Sequence, residues 1–213
     1  MRLRSLWLLL LVVMILGISQ SIIIAQTDTG DIPQSFSEDG FPMFGDPDAP
    51  VEVIQISSYS CPPCASFTIE TFPLLLDRIR AGEIRYVVIP VWNIGETGDA
   101  FAATSGAFCA ATQSGFYDYS KTLFHAQVFF GNDAFTFDRL LSYAQMTNLD
   151  TDLWEACYSD DDTLAFLDDA VTYAYAVPGF SGTPSIIVNG ELLTNRDIDS
   201  INDAIVSALG SDL

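Results

Sequence analysis

The sequence predicts an α/β fold interrupted by a helical insertion. Three observations carry this. A strand-like run, Val51-Glu52-Val53-Ile54-Gln55-Ile56, leads into Cys61-Pro62-Pro63-Cys64 and then a helix-like run from Ala65 to Arg80. Residues 99–176 repeat Ala, Phe, Leu and Tyr at helical spacing, with almost no β-branched clusters. The sequence then ends with a strand, an Asn-Gly turn and a helix. Strand, helix, strand, helical block, hairpin, helix is the order of an α/β domain with an insert at its centre.

The protein has 213 residues, and its first stretch reads as targeting sequence. Arg2 and Arg4 precede an apolar run from Leu6 to Ile18, and Ser19, Gln20 and Ser21 separate it from Ile22-Ile23-Ile24-Ala25. A basic start and apolar centre fit a secretory signal with Ala25 as the cleavage edge. Leu6 to Ala25 is also just long enough to span a bilayer, so an uncleaved anchor is the alternative. Residues 1–25 are therefore expected to be signal peptide or anchor, 26–40 a polar linker, and 41–213 one domain with ample core. With no cysteine near the segment, a lipid anchor is excluded. Either way the domain is expected outside the cytoplasm, where disulfides persist.

Within the domain, Phe41 to Phe44 reads as a short edge strand and Gly45-Asp46-Pro47-Asp48-Ala49-Pro50 as a turn. Val51 to Ser57 is a strand. Pro63 to Arg80 is a helix that Pro73 should kink near residues 69–72, because proline removes a hydrogen bond and clashes with the preceding turn. Glu83 to Val91 reads as a buried strand. Four helices are expected in the insert: Asp99 to Ser114, Phe116 to Gln127, Thr136 to Met146, and Thr151 to Tyr175 broken near 159–162. Thr183 to Glu191 gives a strand and a type I′ turn at Asn189-Gly190, followed by a short strand over Leu192 to Thr194. Asp197 to Leu209 is a helix with Ile198, Ile201, Ile205, Val206 and Leu209 on its apolar side.

All 28 acidic residues lie beyond the targeting segment, against six basic ones, a net of −22. Such a surface argues against nucleic acid or anionic membrane as a partner. It fits either a solvated acidic face or a salty medium that screens self-repulsion. His125 is read as a helix-face histidine without a role. The insert's aromatics, Phe116, Tyr117, Tyr119, Phe124, Phe129, Phe130, Phe135 and Phe137, are read as core and rim.

The chemistry is concentrated in Cys61-Pro62-Pro63-Cys64. Two cysteines at the first turn of a helix can close a small disulfide ring. Unpaired N–H groups there favour thiolate over thiol. This suits thiol–disulfide exchange. Zinc is the alternative use of such a pair, but it needs two further ligands. The sequence offers only Cys109, Cys157 and His125, none in a second close pair.

These segments together resemble the DsbA-like branch of the thioredoxin superfamily. Gly45 to Val51 is similar to that branch's opening segment, Cys61-Pro62-Pro63-Cys64 to its active site, and Phe180-Ser181-Gly182-Thr183-Pro184-Ser185 to its second signature. The resemblance implies a thioredoxin fold with a central helical insertion and a cis Thr183–Pro184 bond lying against the cysteines. It implies Cys61 as the more exposed nucleophile and Cys64 as the buried resolving thiol. Pro62 and Pro63 would hold the ring, and the Thr183 backbone would offer strand-like hydrogen bonds to a substrate segment, its hydroxyl touching the sulfurs. No histidine lies between the cysteines, which suggests a milder oxidant than the strongest relatives. Gln55 and Ser58 stand where relatives often carry acids, so the proton of the resolving thiol is expected to move through water. Glu52 and Glu70 are conceivable substitutes but are expected to be exposed.

Many relatives resemble this sequence at Cys109 and Cys157 also, and a structural disulfide between them is expected; two inert buried thiols are the alternative. The implied activity is disulfide introduction into unfolded or reduced exported proteins, without metal or organic cofactor. A membrane quinone-linked oxidase would reoxidise the dithiol. With no evident dimerisation domain, a monomer is expected. A reductase or isomerase kept reduced by a membrane donor is the first alternative, and a chaperone or binding module with a merely structural cysteine pair is the second.

Overall fold

The computed structural model describes residues 32–95 and 99–210. The targeting segment lies outside the described residues. Among the described residues no helix is long and apolar enough to cross a membrane.

Six strands form one sheet: β1 (Gln34–Phe36), β2 (Pro42–Phe44), β3 (Val51–Ser57), β4 (Ile84–Pro90), β5 (Ser185–Val188) and β6 (Glu191–Leu192). Their order is β1-β2-β4-β3-β5-β6. Only β3 and β4 pair in parallel, with Val51 opposite Ile84 through Ser57 opposite Pro90. The other neighbours are antiparallel. Two expectations are corrected here. Pro42–Phe44 is not an edge, because β1 pairs outside it. Nor is the whole of 26–40 a linker: Ile32 is buried and Gln34–Phe36 is a strand. Three residues, two of them polar, are too few to show a period, and this strand has a single neighbour.

Both central strands are buried on both faces, as a parallel pair between helical layers requires. Side chains alternate across the sheet. Val53, Tyr86 and Val88 face one apolar cluster, while Ile54, Ile56, Val87 and Ile89 face the other. The first cluster holds Cys64, Phe67, Phe72, Leu75 and Ile79, and also Ile201 and Ile205.

The helix after β3 is broken into pieces. α1 (Pro62–Ser66) runs into a π turn (Phe67–Thr71) and a 3-10 turn (Phe72–Leu75) before α2 (Leu76–Arg80) resumes. Pro73 is the cause, since its missing N–H and its ring forbid the regular ladder one turn back. The insert comprises α3 (Ala100–Ala111), α4 (Phe116–Phe130), α5 (Phe137–Met146), α6 (Thr151–Tyr158) and α7 (Asp161–Ala176). Asp99, Asp150 and Asp160 cap α3, α6 and α7 with their carboxylates. α7 covers the second face of the sheet through Phe166, Leu167, Ala170 and Ala174. Asn189 and Gly190 both take positive φ, 45° and 83°, as a type I′ turn requires. α8 (Ile198–Gly210) follows β6 and packs beneath the first cluster. It buries Ile201 and Ile205, but Val206 is 56% exposed, against expectation. Val206 falls one position past Ile205, about 100° round the helix and off the packed stripe.

Inside the insert, the Trp154 indole N–H donates to the Gly106 carbonyl at 2.9 Å. A Cβ at Gly106 would meet the Tyr119 hydroxyl at 2.6 Å and Trp154 at 2.8 Å, so glycine is needed for this approach. Cys109 and Cys157 form a disulfide that ties α3 to α6. Its partners are 48 residues apart in sequence. For a loop of that size the entropic contribution is about 4 kcal/mol. Replacing both cysteines by alanine should lower the unfolding free energy by roughly that amount in urea titrations. Thiol exchange at Cys61 should survive at temperatures well below the new midpoint.

Candidate active site

β3 ends at Ser57, and the loop Ser58–Ser60 delivers Cys61 to the start of α1. Cys61 has extended backbone angles and caps the helix, its carbonyl accepting from the N–H groups of Cys64 at 3.0 Å and Ala65 at 3.3 Å. The loop is held from two sides, by residues 94–95 and by α4. The Ser58 hydroxyl donates to the Ile94 carbonyl. The Tyr59 hydroxyl is 2.7 Å from the Ser120 hydroxyl, and its ring packs on Phe124. The Gln127 side-chain amide donates to the Tyr59 carbonyl. Ser60 bridges to Gly95, where a Cβ would overlap the Ser60 carbonyl. Thus α4 of the insert braces the residues immediately before Cys61.

Opposite the cysteines, the Thr183–Pro184 peptide bond is cis. The Cys61 Sγ donates to the Thr183 carbonyl at 3.3 Å. The Thr183 hydroxyl is buried and lacks a hydrogen bond of good geometry, yet lies near enough to lower the pKa of both thiols. Pro62 and Pro63 are exposed. Cys61 is more covered than expected: only 6% of its surface is exposed, against 0% for Cys64. The order of the two is kept, but the cis-proline loop lies over the sulfur that was expected to be open.

The two thiols are electrostatically unlike. Cys61 is pulled down from 9.0 to about 6. The largest cause is a hydrogen bond from the Cys64 side chain, with smaller help from Thr183, the Cys64 backbone and the charge of Arg196. Cys64 is pushed well up, first by burial and then by its neighbour Cys61. Of the helix-start N–H groups expected to favour the thiolate, that of Cys64 contributes, but less than the Cys64 side chain. Prolines at 62 and 63 have no N–H, and α1 is only five residues long, so the donors nearest the sulfur come from Cys64 itself.

Gln55 sits on the face of β3 that looks toward Cys64. It is 3% exposed, and its Oε1 accepts from the Tyr86 hydroxyl at 2.8 Å. The Tyr86 pKa is raised by burial and then by the charge of Cys64, so that ring is within electrostatic reach of the Cys64 thiol. Gln55 Nε2 and the Ser57 hydroxyl are buried without partners among the described residues. Both line a cavity of about 20 Å³ together with Ser58, Thr68, Tyr86 and Ser120. That is room for about one water with several polar partners. The carboxylates weighed as substitutes do not fill this role: Glu52 pairs with Arg85 at 3.1 Å, and Glu70 is exposed.

The Thr183–Pro184 segment and the cysteine pair lie together, the placement that the family resemblance implies. Cys109 and Cys157 stay apart from them, in their own bridge. Among the described residues no three His, Cys, Asp or Glu side chains converge as a metal site would need. Sequence reasoning missed Tyr59, Ser120, Gln127 and Arg196. Ser120, Phe124 and Gln127 recur at intervals of four and three along α4, so two polar residues on one buried helical stripe were the available signal.

One thiol primed as a nucleophile and its neighbour kept protonated is the chemistry of thiol–disulfide oxidoreductases, and that is the class of this protein. It belongs to the thioredoxin family, whose model matches residues 37–206. The probable disulfide bond formation protein D of Bacillus cereus is 26% identical over 91% of this sequence and 90% of its own. The Bacillus subtilis disulfide bond formation protein D is 26% identical over 80% of this sequence and 78% of its own. Oxidised BdbD from Bacillus subtilis superposes with a TM-score of 0.71 at 22% identity, covering 80% of this protein and 93% of that one. DsbA of Chlamydia trachomatis gives 0.70 at 20% identity, covering 80% and 92%. The fold is therefore DsbA-like.

A thiolate titration of the reduced protein, followed by ultraviolet absorbance, should show one midpoint near pH 6. In Cys64→Ala that midpoint should rise, because its largest cause is gone. The depressed Cys61 pKa also sets a stability slope. Its contribution is full above the unfolded thiol's pKa and is lost as pH falls through the folded value. The reduced form should therefore gain stability relative to the disulfide form between about pH 6 and 9, measured by paired denaturant titrations.

Proposed function

We propose that this protein works outside the cytoplasm as a dithiol oxidase that donates the Cys61–Cys64 disulfide to reduced, exported proteins. The observation that carries the direction is the low pKa of Cys61. A thiolate stabilised in the reduced protein makes the disulfide easier to give away. The absence of a histidine between the cysteines sets it below the strongest oxidants. The location rests on the apolar segment Leu6 to Ala25, as cleaved signal or anchor, and agrees with a structural disulfide in the insert. The names of the Bacillus relatives point the same way.

In the first step a client thiolate attacks Cys61 Sγ of the disulfide. The Cys61–Cys64 bond breaks, a client–Cys61 bond forms, and Cys64 leaves with the electron pair and takes up a proton. The Tyr86–Gln55 pair and the cavity beside it offer polar groups for that transfer where relatives often use a carboxylate. In the second step another client thiolate attacks the client sulfur of the mixed disulfide. Cys61 leaves as a thiolate, which is stable at neutral pH. The client loses two electrons, and the Cys61–Cys64 pair gains them. The exposed edge of the Thr183 segment would hold the client backbone during this exchange by strand-like hydrogen bonds. A membrane quinone-linked oxidase is the expected acceptor of those electrons. No organic cofactor or metal is required, and a monomer suffices.

Equilibration of the exported domain against glutathione tests the direction. A potential near −120 mV supports the oxidase, whereas one near −270 mV turns the function around to reduction of clients. Cys61→Ser should abolish mixed disulfides and client oxidation. Their persistence would instead mean a binding module with a structural cysteine pair.

A further inference from the structure

The loop before α8 carries a feature that the exchange chemistry above does not use. A groove of about 680 Å³ runs along the cis-proline loop, lined by residues 178–186 except Phe180, then 192–194 and Arg196. In a protein with 28 acidic residues, no carboxylate among the described residues lines it, and Arg196 is its one charged side chain.

Arg196 also differs from the other cations. Arg78 pairs with Glu83, Arg80 with Asp77 and Arg85 with Glu52. Lys121 lies over the Tyr117 ring and Arg139 over the Phe130 ring. Among the described residues Arg196 has no ion pair, hydrogen bond or ring contact, and it is exposed. The acid next to it, Asp197, is committed elsewhere: one carboxylate oxygen accepts from the Ser200 N–H and the other from the Ser200 hydroxyl, both at 2.9 Å. A guanidinium is therefore left facing the groove with its fork of donors unmatched. The groove it shares is also lined by Thr183, whose carbonyl accepts from the Cys61 Sγ.

We propose that Arg196 forms a carboxylate subsite, which selects client segments bearing an acidic group close to the cysteine being oxidised. The carboxylate is supplied by an Asp or Glu side chain or by a free C-terminus. The subsite gives a register preference at the point of exchange, while the acidic remainder of the surface contributes only a salt-screened background. This rests on the oxidoreductase reading above.

The test uses cysteine peptides, acetylated and amidated, with Glu, Gln or Lys within two residues of the cysteine on either side. A further Gln peptide ends in a free carboxylate. Oxidation of each by the disulfide form is timed for the wild type, Arg196→Gln and Arg196→Lys at low and moderate salt. At one position the wild type should favour Glu over Gln by roughly two- to fivefold, and Lys should be slowest. Faster reaction of the free-acid peptide alone would assign the subsite to C-termini. Arg196→Gln should flatten either preference, and Arg196→Lys should keep part of it. Equal rates for all peptides with the wild type, or an equal slowing of all of them in Arg196→Gln, would overturn the subsite and leave the oxidase reading standing. If the wild type oxidises no peptide at all, the oxidase reading falls, and the subsite with it.

Discussion

The register between β3 and β5 is the constraint on which the rest of the site depends. Ile56 faces Ser185 and Gln55 faces Ile186 across an antiparallel ladder. This puts the end of β3, which feeds Cys61, beside the start of β5, which follows Pro184. A slip of one residue would turn Gln55 and Val53 to the opposite face and carry Thr183 away from the sulfur. The parallel pairing of β3 with β4 fixes the other flank and brings Tyr86 alongside Val53. Hydrophobic alternation on both faces makes this register costly to leave, because every apolar side chain would change layers.

The low pKa of Cys61 is then a consequence of where its partner sits rather than of helix length. α1 is short and begins with two prolines, so little of a macrodipole is available. The second cysteine stabilises the first by donating to it, and burial keeps that donor protonated. The two shifts are one interaction seen from its two ends. The prolines remove competing donors and present a bare, exposed surface between the sulfurs.

Much of this was legible in the sequence. The strand before Cys61, the proline break, four insert helices and the Asn189-Gly190 turn follow from local rules of spacing and backbone freedom. The pairing of residues 61–64 with 183–184 came from a resemblance, because no local rule states which distant segments meet. What stayed hidden depends on a third partner. The Gln34–Phe36 strand has too few residues to show a period. Nothing in the sequence singled out Tyr59, whose partners Ser120, Phe124 and Gln127 come from α4. Arg196 carried no signal at all, since its meaning lies in the partners that, among the described residues, the other cations have and it lacks. Val206 shows the opposite error: an apolar residue beside a true core stripe was assigned to that stripe.

The bridge between Cys109 and Cys157 places this protein on both sides of its own chemistry. A newly made copy must lose two electrons before its insert is fully tied, and α4 of that insert braces the loop that carries Cys61. For the oxidase proposed above, maturation and turnover would therefore draw on the same supply of oxidant. A cell short of that supply would accumulate copies that are both uncharged at Cys61–Cys64 and loosely braced around it, so scarcity would be felt first in the apparatus meant to relieve it.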